Sequence, residues 1–153
     1  MPRESGCSAV TPAAMDPESR PSPSDPYQDL RSLLQRYARA VDERDVDTLG
    51  SLFHPAADTV GARGTQTLEE WLDTMRAPRS FPTSMHMMGD PLIEVGDSRE
   101  EASMDTYAVV YQLGSPSDGS GDLTLGIRYS DQCVRHEGTW VIASRRSTTV
   151  WMR

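Results

Sequence analysis

The chain has 153 residues, a length that suits one domain with a single core and one sizeable pocket. Its 23 acidic and 15 basic side chains give a net charge of −8, which repels the phosphates of nucleic acids and anionic lipids, so we expect neither as a partner. The apolar runs are far shorter than the ~20 residues that span a bilayer. Two cysteines, Cys7 and Cys133, indicate no disulfide framework, so we expect a soluble cytoplasmic protein.

The first 26 residues are rich in Pro, Ser, Ala and acidic side chains, a composition that buries too little apolar surface to fold. The stretch 7–15 is only weakly apolar and is interrupted by Pro12, unlike the apolar part of a secretory signal. We therefore predict a disordered leader over residues 1–26 and a folded domain over 27–153.

Three helices are predicted next. The first has a buried stripe at three- and four-residue spacing, formed by Leu30, Leu33, Leu34, Tyr37 and Val41. Asp45 is suited to cap a second helix that includes Leu49, Leu52 and Phe53 and ends near Pro55. The segment Thr67-Leu-Glu-Glu70 has capping-box spacing, which predicts a third helix that ends before Pro78.

From about Thr83 to Trp151 the chain favours β-structure, and its turn signals divide it into four predicted strands. A further short strand is considered at 58–60. Helices first and antiparallel strands last indicate an α+β fold, with the helices packed on one face of a curved sheet.

Several segments resemble the SnoaL-like branch of the nuclear transport factor 2-like superfamily. Residues 34–42 (LQRYARAVD) and 45–53 (DVDTLGSLF) resemble its opening helices, and 84–90, 126–131 and 138–145 resemble its later strands. The resemblance covers about residues 27–151 and implies a cone-shaped fold with a mainly antiparallel sheet. It also implies a homodimer and an apolar pocket for a small hydrophobic substrate, with neither metal nor organic cofactor.

The resemblance places His86, Asp42 and Tyr37 in the catalytic set. His86 has the residue type that exchanges protons near neutral pH, and its neighbours Met85, Met87 and Met88 suggest an apolar pocket. The alternative is a core histidine bonded to a backbone carbonyl.

Tyr37 lies in the buried stripe and is suited to stabilise an oxyanion, or is simply a core aromatic residue. Asp42 lies about 140° around the helix from Tyr37, near a helix end whose dipole disfavours a carboxylate. A hydrogen bond to His86 would offset this cost. The alternative for Asp42 is a solvated residue in a turn.

Substrate-binding candidates lie mainly on the strands. Strand alternation puts Asp105 and Tyr107 on the same face of the sheet. The sequence does not decide whether that face or the opposite one lines the pocket. Arg128 has the same ambiguity, whereas Arg145 and Arg146 point to opposite faces, so at most one of them enters the pocket. The remaining candidates are pocket-wall residues: Met88, Trp71 and Phe53.

The function expected from the resemblance is that of a cofactor-independent cyclase, dehydratase or isomerase acting on a small hydrophobic natural product such as a polyketide. The three histidines lack the spacing of a metal site, and phosphate-binding and nucleophile-elbow motifs are not found. The alternatives are a non-catalytic ligand-binding or dimerisation domain and, within the enzymes, an epoxide-opening cyclase or hydrolase.

Overall fold

The computed structural model describes residues 25–78, 81–114 and 121–153. In these ranges three helices and seven strands follow one another as α1 (Pro26–Glu43), α2 (Val46–Ser51), β1 (Phe53–Gly61), β2 (Gly64–Thr67), α3 (Leu68–Arg76), β3 (Thr83–Met88), β4 (Leu92–Val95), β5 (Glu101–Leu113), β6 (Leu123–His136) and β7 (Thr139–Met152). None of the described helices is long and apolar enough to cross a membrane.

The strands form one mixed sheet in the order β2-β1-β7-β6-β5-β3, and β4 pairs with the first part of β5. All described pairings are antiparallel except that of β1 with β7. The helices pack on one face of the sheet, here called the inner face, and the opposite face is called the outer face. The predicted α+β class is confirmed, with one parallel pair in a mainly antiparallel sheet.

Helix α1 forms as the sequence pattern predicts. Asp25 caps it by accepting a hydrogen bond from the Tyr27 amide at 3.1 Å, and Arg44 ends it in the left-handed conformation. Every residue of the predicted stripe is buried. The predicted leader ended at residue 26, but Pro26 lies in the helix and Asp25 caps it; residues 1–24 lie outside the described residues.

The predicted extent of the second helix is wrong. Helix α2 ends at Ser51, and Phe53 begins strand β1 instead of continuing the helix to Pro55. The cause is tertiary, since the Ile142 amide donates to the Leu52 carbonyl at 2.9 Å and draws the chain into parallel pairing with β7. The pairing register is interrupted between Phe53 and Asp58, the stretch that contains Pro55.

The number of later strands is also corrected. Five strands, β3 to β7, follow α3 where four were predicted. The additional short strand β4 shares the partner β5 with β3, and the two occupy successive parts of its length. The strand considered at 58–60 is present as the second half of β1, and β2 adds a hairpin that was not predicted.

Candidate active site

A histidine–aspartate pair joins α1 to β3. Asp42 accepts three hydrogen bonds: from His86 Nδ1 to Oδ1 at 2.7 Å, from the His86 amide to Oδ2 at 2.8 Å, and from Ser84 Oγ to Oδ1 at 2.8 Å. The side chains are largely withdrawn from solvent, at 8% exposure for His86 and 21% for Asp42. The donors from β3 thus offset the cost of placing the Asp42 carboxylate near the negative end of the α1 dipole. The hydrogen bond from His86 is the one that the sequence predicts.

The position of Asp42 determines the tautomer of the imidazole. A carboxylate can only accept, so Nδ1 carries the hydrogen that it donates to Asp42 and the basic lone pair lies on Nε2. When Nε2 takes up a proton, Asp42 stabilises the resulting imidazolium. The backbone and side-chain hydrogen bonds together fix the carboxylate, and hence the ring plane, in one orientation.

Tyr37 lies beside this pair at the centre of an aromatic cluster. Its ring centroid is 6.5 Å from that of His86, 6.3 Å from Trp71 and 5.9 Å from Tyr129. Burial raises the pKa of Tyr129 well above its ordinary value, and the neighbouring Tyr37 adds to this rise.

A buried ion pair supports Tyr37 from the sheet. Arg145 donates to both carboxylate oxygens of Asp131 at 2.7 Å, and its guanidinium lies 3.8 Å from the centre of the Tyr37 ring. Although burial alone would lower the pKa of Arg145, Asp131 and the two tyrosines raise it above its ordinary value. Arg145 Nη1 has no hydrogen-bond partner among the described residues, so the aromatic faces are its main compensation.

A cavity of about 430 Å³ opens next to this cluster. Tyr37 and His86 both line it, whereas Asp42 contacts His86 from behind. Its other walls come from α3, from β3 and from the turn between β1 and β2, and include Trp71, Met75, Ser84 and Arg63. The size falls within the range of small-molecule sites. In the described ranges no group of three or more His, Cys, Asp or Glu side chains is arranged to hold a metal.

Arg44 holds one wall of this cavity in place. Its guanidinium donates to the carbonyl oxygens of Met75 and Ala77, at and just beyond the end of α3. Since Arg44 directly follows α1, it fixes the end of α3 relative to the helix that carries Tyr37 and Asp42.

The family model of the SnoaL-like domain matches residues 24–146 of the sequence. The chain belongs to the SnoaL-like domain family. No curated protein matches the sequence significantly.

Solved structures share the fold of this SnoaL-like domain at low sequence identity. A Novosphingobium aromaticivorans protein provisionally named scytalone dehydratase has a TM-score of 0.74 and 17% identity, and the match covers 82% of this chain and 85% of that one. The hexachlorocyclohexane dehydrochlorinase LinA-type3 of Novosphingobium barchaimii has a TM-score of 0.73 and 15% identity, over 82% and 87% of the two chains. At these identities the likeness is one of fold, and the family as a whole contains enzymes that act on small molecules.

Three predicted substrate-binding residues of the SnoaL-like domain lie away from the cavity. Asp105, Tyr107 and Arg128 are on the outer face of the sheet, where Arg128 donates to both oxygens of Asp105 at 2.6–3.0 Å. Their assignment to the pocket is corrected, because the helices cover the alternate residues of β5, among them Met104 and Thr106.

The remaining predicted residues of the SnoaL-like domain lie on the inner side. Trp71 lines the cavity, Phe53 and Met88 belong to the core around it, and Arg145 lies beneath Tyr37 rather than in contact with the cavity. The prediction that Met85 and Met87 form part of an apolar pocket around His86 is wrong, because both side chains are more than half exposed on the outer face.

Other residues of this site were not predicted. Ser84 shares a face of β3 with His86, and Tyr129 and Asp131 share the inner face of β6, a signal that finds them once the inner face and the β6–β7 register are known. Arg63 lies in a tight turn, where no periodicity applies.

Proposed function

We propose that this SnoaL-like domain is a cofactor-independent acid–base enzyme, a dehydratase, isomerase or cyclase acting on a small hydrophobic compound of the polyketide type. The observation that carries the proposal is the Asp42–His86 pair, whose imidazole lines the same cavity as Tyr37. A non-catalytic binding pocket has no need of a carboxylate that accepts three donors and holds a histidine in one tautomer.

The proposed dehydration begins with a β-hydroxy ketone in the cavity. His86 Nε2 removes a proton from the carbon next to the carbonyl, and the Tyr37 hydroxyl donates to the oxygen on which negative charge develops. The electrons of the carbon–hydrogen bond form the new double bond, the carbon–oxygen bond at the β-carbon breaks, and the imidazolium returns the proton so that water leaves. In an isomerase the same proton returns to a different carbon.

A Schiff base on a lysine side chain is not available as an alternative route. The sequence contains no lysine, so all of its basic side chains other than histidine are arginines. Schiff-base formation with a ketone requires an uncharged side-chain amine, which arginine does not offer.

The proposal is tested by incubating the protein with cyclic β-hydroxy ketones in D₂O and following elimination, isomerisation and deuterium uptake by NMR. We expect His86→Gln to lower turnover by about 10²–10⁴-fold, the usual contribution of a positioned acid–base group. The matched control is His136→Gln. His136 is the last residue of β6, packs against His54 and does not line the cavity. Equal turnover in wild type and His86→Gln would contradict the proposal.

A pure binding domain makes a different prediction in the same experiment. It would bind these ketones without any deuterium uptake above the buffer rate, and His86→Gln would alter affinity alone. Epoxide opening is distinguished by adding cyclic epoxides to the panel and measuring diol or cyclised product.

We also propose that the protein is a homodimer whose interface is the apolar part of the outer face and leaves the Asp105–Arg128 pair in solvent. Met85, Met87 and Tyr107 lie there on neighbouring strands, each more than half exposed. Sedimentation velocity should show a dimer that Tyr107→Glu dissociates, whereas the matched substitution Tyr27→Glu on α1 leaves it intact. A monomeric wild type would contradict this arrangement.

A further inference from the structure

The charge distribution around the cavity is uneven. Among the described residues that line it, none is an aspartate or a glutamate, and Arg63 is the cationic one. The same holds for a smaller recess of about 220 Å³ that adjoins the cavity through Tyr37, Trp71 and Arg63. The chain as a whole has a net charge of −8, so a cavity whose described lining has one arginine and no carboxylate is locally positive and attracts an anionic ligand.

Arg63 also has no partner among the residues that the structure describes. It forms no hydrogen bond and no ion pair with any residue that the structure describes, whereas Arg31, Arg39, Arg76, Arg128 and Arg145 each contact a carboxylate. Asp42, which contacts the cavity-lining His86, has both oxygens occupied by donors from β3. The guanidinium of Arg63 therefore keeps its full donor capacity for a ligand.

The backbone holds Arg63 at the entrance. Gly61 and Gly64 pair directly across the β1–β2 hairpin, so Ala62 and Arg63 are the two residues of its turn. Gly64 has a φ of 86°, which a side chain would strain, and this closes the turn tightly. The short turn therefore fixes the backbone of Arg63 beside the cavity that it lines.

The cavity is graded from its entrance inwards. Arg63 is exposed and the imidazole of His86 is almost buried, and the wall of the same cavity includes the apolar Trp71 and Met75. A ligand that fills this space would place a charged group near solvent and its hydrocarbon part against the aromatic side chains, with the reacting carbon beside His86.

We propose that the substrate carries a carboxylate, which Arg63 binds at the cavity entrance while an apolar ring occupies the interior. This inference rests on the proposed function and names its substrate class. A carboxylate matches the planar fork of a guanidinium through two parallel hydrogen bonds, and one arginine balances one negative charge. Because the contact lies away from the reacting carbon, it stabilises substrate and transition state equally and acts on KM rather than on kcat.

Binding is tested first with an unreactive matched pair, 2-naphthoate and the neutral 2-naphthamide, by isothermal titration calorimetry. We expect the dissociation constant of wild type to be roughly tenfold lower for the carboxylate than for the amide, which corresponds to the free energy of a charge-assisted hydrogen bond. Higher salt should reduce this preference. Arg63→Gln should bind both probes equally. Arg146→Gln, which removes an exposed arginine outside the cavity, should keep the preference.

A preference that survives in Arg63→Gln would overturn the inference, as would wild type that binds neither probe or prefers the amide. His86→Gln separates this result from the proposed catalysis, because it should keep the carboxylate preference while it loses turnover. If wild type turns over none of the β-hydroxy ketones yet prefers naphthoate through Arg63, the acid–base proposal fails and the anion site stands. For a ketone that is turned over, its carboxylate form should show a KM about tenfold higher in Arg63→Gln with kcat unchanged.

Discussion

Two arginine–aspartate pairs bridge β6 to its neighbours on opposite faces of the sheet. On the outer face Arg128 contacts Asp105 of β5 at 2.6–3.0 Å, and on the inner face Asp131 contacts Arg145 of β7 at 2.7 Å. The geometries are nearly the same, but the exposed fractions of the two arginines are 49% and 2%. Burial, rather than contact geometry, makes the inner pair part of the site and the outer pair a surface feature.

The inner pair has consequences that the outer one lacks. Arg145 cannot exchange Asp131 for water, and its guanidinium also contacts the ring of Tyr37, so the position of the tyrosine depends on the ion pair. Arg128 is partly hydrated, and its nearest ring is that of the exposed Tyr107 at 5.9 Å. The same two residue types therefore link sheet to active site on one face and strand to strand on the other.

The largest effect is expected from breaking the inner pair. Arg145→Met leaves the Asp131 carboxylate buried without its partner, and we expect the free energy of unfolding to fall by about 3–5 kcal/mol. Urea unfolding measures the change. The double variant Asp131→Leu with Arg145→Met should be less destabilised than Arg145→Met, since it removes both charges; a double variant as unstable as the sum of the singles would show that charge burial is not the cause.

Cys133 offers a second measure of the inner face. It is buried, and burial together with Asp131 raises the pKa of its thiol to about 12, so a thiol reagent at pH 8 should label it only through opening of the fold. In a Cys7→Ser background we expect Arg145→Met to accelerate labelling by about 100-fold, as a stability loss near 3 kcal/mol implies. Labelling of Asp105→Asn should remain close to the wild-type rate. Similar acceleration in both variants would contradict the claim that the inner pair stabilises the fold more than the outer pair.

Breaking the outer pair should have a small effect. We expect Asp105→Asn to lower the free energy of unfolding by ~0.2–1 kcal/mol, the range of solvent-exposed ion pairs, because water replaces much of what is lost. The urea midpoint at low and high salt provides the measurement, and salt should shrink the difference between variant and wild type. A loss as large as that of Arg145→Met would mean that the outer pair is shielded from water, which would contradict its description as a surface pair.

How far the sequence predicts the molecule differs between these faces. Strand alternation correctly groups Asp105 with Tyr107 and separates Arg145 from Arg146, but it cannot say which group the helices cover. On β5 the covered set contains Thr106 and the uncovered set contains Val109, so neither face is marked by apolar content. The register between strands and the position of the helices decide the matter, and both are tertiary.

The helix-borne part of the site was more predictable. The period of α1 buries Tyr37 and places Asp42 at the margin of the stripe, and the margin is the part of α1 that meets β3. Asp42 therefore reaches His86 because it is not on the centre of the buried face. Arg63 illustrates the opposite case, since the position of a turn relative to a cavity depends on how β1 pairs with β7.

The smallest expected effect concerns the pH dependence of the outer pair. The hydrogen bonds from Arg128 hold the pKa of Asp105 below its ordinary value, although partial burial works in the opposite direction. A carboxyl whose pKa is lowered by folding adds stability above its unfolded pKa of about 3.9, and this contribution disappears as pH falls through the folded pKa. The difference in unfolding free energy between wild type and Asp105→Asn should thus be constant at neutral pH and decline as pH falls below the unfolded pKa and through the lower folded pKa. A difference for Asp105→Asn that persists at the lowest pH would mean that the side chain is held by packing and not by its charge.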